Sequence, residues 1–216
     1  MLTGNLSFFV TGRFLMGKLE LNKKKKEDAL YNTAFELFTT KGPNKTTISD
    51  IVEKAGVAKG TFYLYFKDKY DIRNKLASHK TSDLFYDAYQ AVRQNQIEGF
   101  SAQLHFMIDH ILNALEKNYQ LLIFVSKNLS WAVFQAALED EMPDTDVKFY
   151  DMYLQLLKED HQVYEHPDLL LFSVIELASS TCYNCILYQQ PVPLAEYKPY
   201  LHRSIDGILS SYLSHS

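Results

Sequence analysis

The chain has 216 residues, 47% of them hydrophobic and 22% charged, with room for one large helical domain or two small ones. Eight Gly and six Pro are too few for an all-β protein full of tight turns, and two cysteines exclude a disulfide framework. The net charge of −4 divides unevenly: residues 1–80 hold 15 Lys/Arg against 8 Asp/Glu, and residues 81–216 hold 7 against 18. A basic first part on an acidic remainder predicts that only the first part meets a polyanion.

Residues 1–21 carry a short apolar patch, Leu6 to Val10, with no basic residue before it, so they read as an extended arm rather than a secretory signal. No run of about 18 apolar residues is found, so no membrane partner is expected, and the cysteine usage points to a reducing cytoplasm. Leu30, Ala34, Leu37 and Phe38 then recur at helical spacing and predict a first helix over residues 23–40, closed by Lys41-Gly42-Pro43. Thr47 with Asp50 three residues on is a capping box for a second helix, and Gly56 stops it after two turns. Lys59 to Phe66 reads as a third short helix, and Asp68 caps a fourth that runs towards Gln94. Beyond Gly99, helical spacing continues over residues 104–115, 121–131, 134–138, 147–157, 169–187 and 195–213, with Pro143, Pro167, Pro191 and Pro193 between segments. The expected fold is all α: a helix-turn-helix domain at 22–75 and a helical ligand-binding and dimerisation domain at 76–216.

Helix, Gly-containing turn and helix is a specific construction. Phe62 and Phe66, four residues apart, share a face that anchors the third helix beside Val57. Lys59, Thr61 and Tyr63 point elsewhere, towards a major groove wide enough for one helix, and Gly60 lets DNA approach closely. Lys59 is the candidate for a direct contact to guanine. Thr47 and Lys69, each at a helix N-terminus, are candidates for phosphate contact. The Lys23–Lys26 run is open to either a solvated surface or a phosphate contact.

The segment 46–69, TTISDIVEKAGVAKGTFYLYFKDK, resembles the DNA-binding signature of the TetR/AcrR family of bacterial regulators. The match lies in Thr46-Thr47, Ile51, Ala55-Gly56-Val57, Gly60-Thr61-Phe62-Tyr63, Tyr65-Phe66 and Lys69, and the resemblance covers about residues 25–75. It implies a further phosphate contact at Tyr65. It also implies that the last two long helices pair with their twins in a four-helix bundle, which makes Leu170, Val174, Leu177, Ile205 and Leu209 the expected dimer face, with Leu213 or Tyr212 beyond them; the alternative is that such residues fill the core of one protomer.

Phe106, His110, Trp131, Phe134, Tyr150, Tyr153 and Tyr183 offer an aromatic surface with polar tips, suited to a largely apolar or aromatic small-molecule effector. Cys182 and Cys185 share a helix face but lack further ligands, and read as small buried residues rather than a metal or redox site. The acidic stretch Glu139-Asp140-Glu141, with Asp144 and Asp146, lacks the spacing of a calcium loop. No nucleophile elbow, phosphate-cradling glycine loop or zinc-protease motif is present, so no enzyme, metal or cofactor is expected. The expected function is a homodimeric repressor of a palindromic operator, released by its effector. An activator on the same scaffold and an architectural DNA-binding protein are the alternatives.

Overall fold

The computed structural model describes residues 18–140 and 148–214. Among these residues there are ten helices and no strand. Helix α1 (Lys18–Thr40), α2 (Ile48–Ala55), α3 (Lys59–Tyr65) and the start of α4 (Lys69–Gln94) form the N-terminal unit. Then follow α5 (Phe100–Lys117), α6 (Tyr119–Asn128), α7 (Trp131–Glu139), α8 (Phe149–Glu159), α9 (Pro167–Leu187) and α10 (Leu194–Ser211). Helix α1 begins five residues before its expected start, so residues 18–21 are helical; the rest of the expected arm lies outside the described residues. Pro143, Glu141, Asp144 and Asp146 also lie outside them.

Local chemistry sets most of the boundaries. Gly56 closes α2 in the left-handed conformation, at φ 68°. The Asp68 carboxylate accepts the N–H groups of Tyr70 and Asp71 and so starts α4. Asn118 accepts from Leu121 N–H, and Ser130 from Val133 N–H. Each divides what apolar spacing alone presents as one helix or assigns to its neighbour. Trp131 therefore begins α7 instead of ending α6. Pro167 stands in the first turn of α9, where a missing N–H costs nothing, rather than between helices.

Two hydrophobic cores result. The first gathers Leu30, Ala34 and Phe38 of α1, Ile51 and Val52 of α2, Phe62 and Phe66, and Ile72, Leu76 and Ala77 of α4. It also takes Phe124 of α6, whose ring lies 5.4 Å from Phe35 and 6.5 Å from Phe38. The second core runs from Ala88 and Val92 of α4 through α5 and α7–α10. Helix α4 thus belongs to both cores.

Leu170, Val174, Ile205 and Leu209 are 1, 2, 0 and 5% exposed. These four fill the second core of a single protomer, the alternative to a dimer face, and Leu177 is only half-buried. Apolar positions at helical spacing mark a buried face without saying whose atoms bury it. Helix α9 is the one helix among the described residues long and apolar enough by composition to cross a membrane, although its longest uninterrupted apolar run is Leu169-Leu170-Leu171-Phe172. Cys182 and Cys185 of its inner face sit in the second core, while Leu169 and Phe172 remain exposed.

Candidate nucleic-acid interface

The turn before α2 is built around Thr47 and Asp50. Asp50 N–H donates to Thr47 Oγ1 at 3.1 Å, and Thr47 N–H donates to the Asp50 carboxylate at 2.7 Å. Lys41 Nζ lies 2.7 Å from the same carboxylate. The Lys41 ammonium first, and then the Thr47 donors, hold the Asp50 carboxyl down to about 2. A depressed carboxyl stabilises the fold above its unfolded value near 4, and that contribution disappears as pH falls towards 2. Thermal melts between pH 5 and pH 2 should therefore show a drop in stability that Asp50→Asn flattens; parallel curves for the two proteins would contradict this cap. Thr47 Oγ1 accepts from Asp50 N–H and its hydroxyl also bonds the Asp50 carboxylate, so a phosphate would have to take the O–H proton from that carboxylate.

Helix α3 stands on Phe62 and Phe66, which are 0% and 2% exposed. With this face buried, Lys59, Gly60 and Tyr63 are exposed and Thr61 is half-buried. A side chain built at Gly60 would meet nothing within 4 Å, so the helix presents bare backbone to whatever approaches it. Two exposed α3-side residues were not singled out from the sequence: Leu64 and, just beyond the helix, Lys67. The signal available was the 100° step of the helix from the two anchoring phenylalanines. Lys59 and Lys67 make no ion pair among the described residues, and the Lys23–Lys26 side chains are all exposed.

Lys69 and Tyr65 have internal partners. Lys69 Nζ donates to the carbonyls of Pro43, Asn44 and Thr46 at 2.9, 3.2 and 3.1 Å. Its ammonium has three donors, so a phosphate can be added only by exchanging one of these bonds. Tyr65 O–H donates to the Lys23 carbonyl at 3.0 Å, which fastens α3 to the basic stretch of α1. Thr46 is fully buried and donates to the Gly42 carbonyl at 2.8 Å, completing the corner that Lys69 ties. Lys69→Met should lower the melting temperature and weaken binding to every DNA sequence by a similar factor. The slope of log affinity against log salt should stay nearly unchanged; a slope reduced by about one would instead identify a lost phosphate contact.

The second domain carries a partly open apolar cavity of about 150 Å³ bordered by α4–α9. No charged side chain lines it, and its hydroxyls come only from Thr81, Tyr153 and Ser179. Tyr153 already donates to the Pro167 carbonyl at 2.9 Å, and burial raises its phenol well above the ordinary value. A second hollow of about 430 Å³ shares Leu112, Val125, Leu129, Phe134, Ile175 and Ala178 with the first, and adds Lys127 and Tyr183 at its rim.

Of the expected pocket residues, Phe134 and Tyr153 line the main cavity, and Trp131 and Tyr183 line the adjoining hollow. Tyr150 stands aside in a small hollow with Trp131, where it donates to Asp168; that carboxylate pushes its phenol up to about 12. Phe106 and His110 line none of these spaces. Their rings stack on each other 6.4 Å apart on another face of α5, which corrects their assignment to the pocket. The aliphatic wall from Met107, Ile108 and Ile111 was not anticipated. Burial pushes the Cys182 thiol up to about 11 and raises that of Cys185, so both are held protonated. Among the described residues no group of three His, Cys, Asp or Glu side chains is arranged to hold a metal ion.

A capped helix, a left-handed glycine turn and a second helix anchored by aromatic residues, joined to a cavity-bearing all-α domain, define a helix-turn-helix protein. Residues 30–76 match the family model for bacterial regulatory proteins of the tetR family. The helix-turn-helix domain belongs to that family. Curated relatives include the uncharacterized HTH-type transcriptional regulator YvdT of Bacillus subtilis (strain 168), 32% identical over 107 residues, which are 49% of this chain and 53% of that protein. The Transposon Tn10 TetC protein of Escherichia coli is 34% identical over 102 residues, 47% of this chain and 50% of its own. The chain thus spans about half the length of these curated relatives. Among solved structures, FadR from Bacillus subtilis in complex with stearoyl-CoA superposes with a TM-score of 0.60 at 19% identity, over 85% of this chain and 97% of that one. This last likeness is one of fold.

Proposed function

We propose that the chain is a dimeric, cytoplasmic transcription regulator: a repressor that occupies a palindromic operator and leaves it when a small, largely apolar molecule fills the cavity. The observation that carries this reading is the exposed face of α3, where Lys59, Gly60, Tyr63 and Lys67 surround a helix fixed from behind by Phe62 and Phe66. One such unit covers about one half-site, and two related by a twofold axis cover a palindrome. The direction of regulation is supported by a relative named for repression of the acrEF/envCD operon of Escherichia coli (strain K12), 31% identical over 93 residues.

Support for a second copy comes from α9. Only 28% of its most apolar window is buried within the protomer, and Leu169 and Phe172 stand 52% and 37% exposed. Such a face is covered in a dimer, where apolar burial is the main driving force. The apolar lining of the cavity selects for an apolar effector, and the stearoyl-CoA carried by the similarly folded FadR agrees in character. Helix α6 connects the two events: Val125 and Leu129 face the cavity while Phe124 is seated in the N-terminal core. A ligand that binds one arrangement of α6 better shifts the population towards it and so changes the spacing of the two α3 helices. The reading needs no cofactor and no metal.

Binding of the purified full chain to its own promoter DNA, against random DNA of equal length with salt varied, tests the proposal. Tight, salt-sensitive binding at a palindromic site is expected. Equal weak binding to random DNA and to every genomic fragment offered would overturn it in favour of an architectural role.

A further inference from the structure

We infer that Leu64 recognises the 5-methyl group of a thymine in each half of the DNA site and so helps determine its sequence; this rests on the DNA-binding role proposed above. At about 100° per residue, Leu64 lies two steps from both Phe62 and Phe66, on the side of α3 opposite the buried face. It is 80% exposed, more than any other exposed large apolar residue among those described. Scattered surface leucines are ordinary, but this one stands at the point of α3 furthest from the core. Gly60, one turn earlier on the same side, has no side chain to keep a base edge away, and Thr61 adds a methyl group nearby.

The partner follows from what a major groove contains. Donors and acceptors line all four base-pair edges, and the apolar group among them is the thymine methyl. A leucine placed against cytosine or guanine strips water from polar atoms and returns no hydrogen bond, which is unfavourable. Against thymine it buries methyl on methyl. Lys59 and Tyr63 of α3 and Lys67 just beyond it are exposed and able to hold the backbone and neighbouring bases, whereas Leu64 has only shape and apolarity to contribute.

The test starts from DNA selected by the full chain out of a random-sequence pool. Each thymine of the selected site is then replaced by deoxyuridine, which removes the methyl group and nothing else. One symmetric position should respond: about fourfold weaker binding for one half-site and about 15-fold for both, the value of one buried methyl group counted once and twice. Leu64→Ala should bind thymine and deoxyuridine sites equally while melting like the parent, because its side chain touches no core. Indifference of the parent protein to deoxyuridine at every position, or an undiminished penalty in Leu64→Ala, overturns the inference and leaves the regulator reading intact. A pool from which no sequence is enriched overturns both.

Discussion

Phe62→Ala is expected to unfold the N-terminal domain and abolish DNA binding. The ring is fully buried and packs 5.4 Å from Phe66 and 5.5 Å from Tyr63, in a core to which α1, α2, α3, the start of α4 and Phe124 contribute. Truncating a buried phenylalanine costs about 3–5 kcal/mol, close to the whole stability of a small unit of this kind. Little in α3 can compensate, since its seven residues have no side-chain cap and could not hold a helix alone. Denaturant titration followed by circular dichroism, together with operator binding, measures both consequences. Tyr63→Ala is the control: at a half-exposed position its stability effect should stay within about 0.5 kcal/mol. A loss below about 1 kcal/mol for Phe62→Ala would contradict the role of anchor.

Ala178→Phe is expected to produce a protein that holds its operator and ignores the effector. Ala178 is common to the lining of the main cavity and the adjoining hollow, so a benzyl group there occupies the space a ligand needs. Excluding even a few apolar ligand atoms should raise the effector concentration for release by roughly 100-fold, about 2.7 kcal/mol. Overpacking costs about 1–3 kcal/mol of stability, felt far from α3, so operator affinity should change by less than about threefold. His110→Ala and Phe106→Ala are the informative comparison. Both residues lie outside the cavity, and their variants should release normally. Loss of response in these two with retention in Ala178→Phe would place the effector elsewhere.

What the chain reveals before folding is what neighbours in sequence decide. Thr47 and Asp50, Gly56, the Phe62–Phe66 pair and the Asp68 cap each act within four residues, and all are found as their spacing predicts. Lys69 and Tyr65 act across 23–26 and 42 residues on backbone carbonyls, an acceptor that every residue carries and no sequence advertises. Leu170, Val174, Ile205 and Leu209 have the same spacing whether a protomer or its twin covers them, so only their burial assigns them to the protomer. The cavity is a gap in packing among six helices. Looking for aromatic residues with polar tips found Phe134 and Tyr153 but passed over Met107, Ile108 and Ile111.

The 26 residues of α4 form a rod about 39 Å long. Thr81, Leu84 and Phe85 border the cavity, and Lys69, which ties the corner before α2, stands about 18 Å away along the same axis. If the cavity end acts as a fulcrum, a tilt of about 6° swings Lys69 and the corner it grips by about 2 Å, within the range of ordinary helix shifts. Two copies swinging apart would change the distance between the paired α3 helices by about 4 Å, against the roughly 34 Å from one major groove to the next. Under the proposed regulation, such gearing would let a guest that displaces a few side chains by a fraction of a bond length throw both α3 helices out of register with the double helix.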